Sequence, residues 1–179
     1  MKKLLIIAIA GLLFASCEKD EKEKTESDII VKEYGEDYTL DLMKTGRNNP
    51  DTLYLDVNDD GCFDVMATLY HSSNPEPWKS FYPADSNVFI ALGNMHEGLF
   101  YGDEICESTR WENDFFTWLE NGYNDEVYVA VKFDTDTSVN YGWILPCVNQ
   151  KPQEYQTMSI VKTAYCKTNG KTIFAGQEE

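Results

Sequence analysis

Between residues 126 and 134 the chain reads Glu-Val-Tyr-Val-Ala-Val-Lys-Phe-Asp, which repeats with a period of two. Val127, Val129, Val131 and Phe133 fall on one side of that repeat, and Tyr128, Ala130 and Lys132 on the other. A helix, turning every 3.6 residues, would scatter these side chains around its surface. A strand sorts them onto two faces. The segment therefore commits the chain to a sheet with two distinct faces. The same period returns over 52–57, with Leu53, Leu55 and Val57 aligned, and over 64–70, with Val65, Ala67 and Leu69 aligned. Further strands are predicted at 38–43, 87–92, 140–148, 157–166 and 172–175.

Turn chemistry separates these runs: Arg47-Asn48-Asn49-Pro50, Asn74-Pro75-Glu76-Pro77, Asn121-Gly122 and Asn169-Gly170. Short strands at this spacing, without strand–helix–strand alternation, predict an all-β fold, an antiparallel β-sandwich. One short helix is predicted over 109–120, where Trp111, Phe115 and Trp118 or Leu119 recur at three and four. Such an aromatic stripe is expected to pack against one end of the sandwich.

Ahead of the sandwich, the N-terminus follows a different logic. Met1, Lys2 and Lys3 precede an apolar run from 4 to 14, too short to span a bilayer, which takes about 20 apolar residues. The run ends in Leu13-Phe14-Ala15-Ser16-Cys17. This layout resembles the lipobox of bacterial lipoproteins, with Ala15, Ser16 and Cys17 matching and Phe14 standing where a leucine is usual. The resemblance implies a signal peptide over 1–16 and a lipid on Cys17. Triacylation would hold the chain more firmly than the marginal grip of one acyl chain.

Residues 17–27 form a tether: after Cys17 come Glu18-Lys19-Asp20-Glu21-Lys22-Glu23-Lys24-Thr25-Glu26-Ser27. With no apolar residue to bury, the run cannot offset the entropy of ordering. Acidic residues directly behind the cysteine also resemble the export signal by which Bacteroidota lipoproteins reach the outer face of the outer membrane. The expected location is the outer membrane, lipid-anchored and facing the exterior. Residues 28–179 make one domain, long enough for a core but not for two.

Charge narrows the partners. The net charge of −16 becomes −18 once Lys2 and Lys3 leave with the signal peptide. Such a surface repels phosphate backbones, and no basic cluster lies outside the signal and tether, so nucleic acid is excluded as a partner. The partners expected instead are the membrane, through Cys17, and a glycan or an envelope protein.

Four further cysteines, Cys62, Cys106, Cys147 and Cys166, make an even number in a chain bound for an oxidising compartment, and disulfides are expected. Of the three pairings, Cys147 with Cys166 and Cys62 with Cys106 is the one favoured. A zinc site is not, because no Cys-x-x-Cys occurs and His71 and His96 stand alone.

The stretch with the most specific chemistry is Asp56-Val57-Asn58-Asp59-Asp60-Gly61-Cys62-Phe63-Asp64. Hard cations take six to eight oxygens, and a loop offering them at alternate positions wraps a short backbone around the ion. Asp56, Asn58 and Asp60 offer side-chain oxygens at positions one, three and five. Cys62 offers its carbonyl, Asp64 at nine ligates directly or through water, and Gly61 permits the turn. The pattern resembles the first nine positions of the EF-hand loop, with Ala67 where that loop carries its bidentate glutamate. Strands rather than helices flank it, so the resemblance extends to the ligand loop and not to the EF-hand fold. Calcium, in a structural role, is the expected cofactor; the same residues also suit a plain hairpin turn, since Asp-Gly between alternating runs is a turn signal.

A broader resemblance links the chain to small exported bacterial β-proteins. It rests on the strand–loop–strand of 53–70, on Tyr141-Gly142-Trp143 and on Ala175-Gly176-Gln177. It implies a sandwich and no particular activity.

Catalytic patterns are sparse. The histidines sit in no arrangement with a serine or cysteine, and no Gly-x-Ser-x-Gly or phosphate loop occurs. Glu97, Asp103, Glu104, Glu107, Glu112 and Asp114 supply carboxylates in abundance, which reads as a solvated acidic face rather than a glycosidase pair. Around the prolines of 74–85, Trp78, Phe81 and Tyr82 form a candidate ligand face for stacking sugar rings; the competing reading is that these rings cap the core. The function expected is non-enzymatic binding or envelope interaction by a surface-anchored lipoprotein. The alternatives are a glycan-binding or glycan-active protein and a structural component of a lipoprotein assembly.

Overall fold

The computed structural model describes residues 27–41, 50–70, 78–91, 98–113, 127–151 and 154–179. The strands run in the order β1 (Ile29–Glu33), β2 (Thr39–Asp41), β3 (Asp51–Leu55), β4 (Val65–Tyr70), β5 (Trp78–Pro83), β6 (Val88–Ala91), β7 (Leu99–Phe100), β8 (Glu104–Ile105), β9 (Val127–Asp134), β10 (Val139–Lys151), β11 (Glu154–Cys166) and β12 (Ile173–Phe174). The expected all-β, antiparallel architecture is what forms. A large sheet runs β1-β11-β10-β9-β6, with β2 also paired to β11 and β7 to β9. A three-stranded sheet runs β3-β4-β5, and β12 and β8 make a two-stranded ribbon.

The alternation in β9 explains how these layers stack. Val129, Val131 and Phe133 face a core shared with Leu55, Val65, Ala67, Leu69 and Phe81 of the three-stranded sheet. Tyr128 and Ala130 face the opposite way, into a second core with Tyr141, Trp143, Ile105, Ile173 and Ala175. The large sheet is thus covered on both faces, by a sheet on one side and by the β8–β12 ribbon on the other. Each fully buried aliphatic or aromatic side chain contributes about 1.5–3 kcal/mol over leaving it in water. Burial in both cores is set against the ordering entropy of so many extended residues.

Polar groups caught between these layers have partners. The Lys132 side chain, at the outer end of the second core, places Nζ 3.0 Å from Asp134 Oδ2 and 4.5 Å from the centre of the Phe89 ring. Asn140 donates through Nδ2 to the Cys166 carbonyl at 3.0 Å, and fully buried Thr163 shares a 3.2 Å hydrogen bond with the Tyr34 hydroxyl. Buried polar groups so paired cost little.

Two local features let β10 and β11 serve both cores. The register passes from Leu145↔Lys162 to Pro146↔Ile160, so Val161 is an extra residue on β11. This bulge reverses the facing of the strand: Met158 and Ile160 before it enter the first core, whereas Ala164 and Cys166 after it enter the second. Pro146, lacking an N–H, forfeits a ladder bond at that place anyway. The second feature is Gly142, where a Cβ would stand 2.4 Å from the Ala164 carbonyl oxygen. Only glycine lets β11 come so close, which gives the Tyr141-Gly142-Trp143 run its physical sense.

The helix predicted over 109–120 is corrected where it is described. Thr109 Oγ1 accepts the Cys106 amide at 3.1 Å, Trp111 stacks on Tyr141 with ring centres 5.8 Å apart, and Glu112 bridges Ile90. Packing against the large sheet extends this segment instead of coiling it; residues 114–120 lie outside the described residues. Among the described residues the helical turn present is a 3-10 turn at Glu36–Tyr38.

Candidate functional site

Strands β3 and β4 pair from Asp51↔Leu69 to Leu55↔Val65, and residues 56–64 close them into a hairpin. The Asp64 amide donates to the Leu55 carbonyl at 2.8 Å, so the loop is pinched at its base. Asp64 Oδ2 accepts the amides of Val57 at 2.7 Å and Asn58 at 3.2 Å. Burial pushes the Asp64 carboxyl up to about 6, against the pull of those two amides and with added repulsion from Asp60 and Asp56.

Above this base the loop winds around its own carboxylates. Asp56 accepts the Asp60 amide through Oδ1 at 3.2 Å and the Gly61 amide through Oδ2 at 2.9 Å. Asn58 Oδ1 also accepts the Asp60 amide, at 3.0 Å. Asp60 accepts the Cys62 amide through Oδ1 at 2.8 Å and the Asn58 side-chain amide through Oδ2 at 3.0 Å. The winding takes Asp59 to φ 63° and Gly61 to φ 88°, the left-handed region that suits aspartate tolerably and glycine freely. Lys32 Nζ, reaching over from β1, pairs with Asp59 Oδ1 at 3.0 Å, outside the alternating set.

Asp56, Asn58, Asp60, Cys62 and Asp64 therefore share one short loop, with the first three turned onto its amides. Asp64 faces the base and serves first as the clasp of the hairpin. Among the described residues no group of three or more Asp, Glu, His or Cys side chains converges closely enough to hold a metal ion. The carboxylates nonetheless keep capacity, since an oxygen that accepts one amide retains a second lone pair.

The cysteines depart from expectation. Cys62, Cys106, Cys147 and Cys166 are all free thiols. Cys147 lies opposite Ser159, so Cys166 is seven residues farther along β11, roughly 20 Å away in an extended strand. A disulfide needs Cα atoms within about 7 Å. Cys62 sits in the hairpin loop on one side of the large sheet and Cys106 follows β8 on the other, with the sheet between them. Neither favoured pairing suits this fold. The Cys62 thiol is also pushed up, chiefly by the neighbouring charge of Asp60, which makes it a sluggish nucleophile.

The candidate face of Trp78, Phe81 and Tyr82 is likewise divided by strand alternation. Phe81 is fully buried in the first core, so it belongs to the packing and not to a platform. Tyr82 is half-buried on the other side of β5, in line with Met66 and Tyr54 across the strands. The side chain of Trp78 lies outside the described residues. Among the described residues an exposed ring pair does form, one that strand spacing conceals: Tyr54 on β3 and Phe63 in the loop, 51% and 60% exposed, with ring centres 5.4 Å apart. Their separation in sequence hides them, because the hairpin alone brings them together.

Cys17 lies outside the described residues, as do His71, His96, Glu97 and Asp114. Of the remaining acids, Asp103 accepts the Phe100 amide, Glu107 accepts the Tyr141 hydroxyl at 3.1 Å, and Glu112 pairs with Arg110. Burial first, and then Glu107, raise the Tyr141 hydroxyl to about 12. No known protein family matches the chain, and neither a curated protein nor a solved structure matches it.

Proposed function

We propose that this chain is a non-enzymatic lipoprotein, anchored through Cys17 in the outer membrane and presenting its sandwich domain outward as a binding module. The observation that supports this most directly is the run from Lys2 to Cys17, followed by a charged tether that reaches the first strand at Ile29. In this reading the 56–64 loop takes calcium in a structural role. Support comes from the alternate placement of Asp56, Asn58 and Asp60 on a loop already wound, and from the crowding of carboxylates that an ion would relieve. Cys62 would add its carbonyl, and water would fill the place that Ala67 leaves.

The test has two arms. In a bacterial host that processes lipoproteins, the wild-type chain should partition into detergent and carry acyl chains on its N-terminal cysteine, and Cys17→Ala should carry none. An unacylated wild-type chain would end the anchoring claim. The purified chain should melt higher in calcium than in chelator, by several degrees at saturating ion, and Asp60→Ala should lose that rise. An unchanged melt would return the loop to a plain hairpin.

A further inference from the structure

The outer face of the three-stranded sheet ends in an aromatic corner next to the acidic loop. Tyr54 and Phe63 stand there half or more exposed, with their rings tilted at 41°. Tyr54 lies opposite Met66, and Met66 opposite Tyr82, so a row of apolar side chains crosses all three strands from this corner. Neighbouring strands lie about 4.8 Å apart, so the row is long enough for several atoms of a ligand. Thr68 and Ser80 point to the same side but are buried; the loop that carries Phe63 adds the exposed Asp60 three residues before it, while the carboxylate of Asp59 pairs with Lys32.

Rings and carboxylates side by side select a particular chemistry. The face of an aromatic ring is negative and attracts cations, and a nearby carboxylate adds direct charge. The chain uses this pairing twice on itself. Lys132 Nζ lies between Asp134 and the Phe89 ring, and Lys32 Nζ contacts Asp59 while standing 5.9 Å from the centre of the Tyr34 ring. A neutral sugar would gain nothing from that charge, whereas a cationic head draws on the rings and the carboxylates together.

We propose that the Tyr54–Phe63 corner docks a basic polypeptide segment, its arginine or lysine heads on the rings and loop carboxylates and its apolar stems along Met66 and Tyr82. The net charge of the chain draws such a segment in, and the rings fix where it sits. This rests on the reading of the domain as a binding module and is independent of calcium, so binding is measured in chelator.

The probe is a fluorescent hexa-arginine peptide, titrated by anisotropy into the purified full-length protein in neutral detergent micelles. Phe63→Ala leaves the charge untouched and should weaken binding at least fivefold. Tyr54→Ala should do the same, and Glu36→Gln, a charge change on the 3-10 turn, should shift it less than twofold. Circular dichroism confirms each fold, and Tyr54→Leu replaces Tyr54→Ala if the latter unfolds. Equal binding by wild type and Phe63→Ala would overturn the proposal, since it would reduce the attraction to diffuse charge. So would Phe63-dependent binding of an uncharged oligosaccharide without comparable binding of the peptide. Loss of the calcium or acylation results would leave this outcome unaffected, so the two proposals fail separately.

Discussion

Asp64 shows how one residue can carry two opposed demands. Its oxygen holds the Val57 and Asn58 amides and so closes the hairpin, but burial makes its charge costly and raises its titration to about 6 from an ordinary 3.8. Between those values the folded chain binds a proton that the unfolded chain has released. Stability therefore falls as pH rises through that window, the reverse of a salt-bridged aspartate. In chelator, Asp64→Asn keeps an acceptor oxygen without the charge and should abolish this slope. Urea unfolding should show the variant gaining about 1–2 kcal/mol on the wild type between pH 4 and pH 7. A difference that stays constant across that range would mean the Asp64 charge is not strained by burial. The sequence made the loop legible, because its oxygens recur at alternate positions, but gave no sign that the last of them turns inward. Its surroundings are set by tertiary packing: Tyr165 of β11, about a hundred residues away, stands near enough to feel its charge.

Elements with a clean period of two were legible because each has one facing throughout, as in β4 and β9. Four strands, β1, β5, β7 and β8, went unforeseen. Two of them are only two residues long, and β1 and β5 mix charged with apolar residues at positions that tertiary pairing later shelters, as with buried Lys79 on β5. The bulge at Val161 was equally hidden, since β11 alternates correctly on either side of it and only the partner strand reveals the extra residue. That makes it a sharp test of how the element works. Deleting Val161 would force either Met158 and Ile160 or Ala164 and Cys166 onto the wrong face, whereas Val161→Ala keeps the count and trims a partly buried side chain. The deletion should cost more than about 4 kcal/mol or prevent folding, and the substitution about 1 kcal/mol, both read from chemical denaturation. Comparable small losses for both would show that facing is not fixed by the bulge.

At the scale of the molecule, the difference from a simple sandwich is that the large sheet has two cores. The second is closed by a cover built from short, separate pieces: β7, the β8–β12 ribbon, and the turns after them. Trp143 is the clearest witness, since it lies almost wholly buried at the centre of that core, edge-on to Tyr128, and donates through Nε1 to the Gln177 carbonyl at 3.1 Å. Ile173 and Ala175 are buried there too, and the Gly102 amide binds the Ala175 carbonyl at 2.9 Å, so the last residues lock the cover down. The sequence predicts a strand over 172–175 but not what Ala175-Gly176-Gln177 packs against, because its partners come from the turn after β7 and from β10. Gly176 reaches φ 79° with the Tyr101 ring lying across it, a position no other residue fills without strain. Ending the chain at residue 172 therefore exposes Trp143 and leaves Ile105 without its partner Ile173. The truncated chain should lose more than about 3 kcal/mol, and its tryptophan emission should shift to the red under conditions where the whole chain is folded. If the cover merely rests on a self-sufficient sandwich, the truncation will melt as the whole chain does; if the sheet needs both cores, the two halves will unfold together.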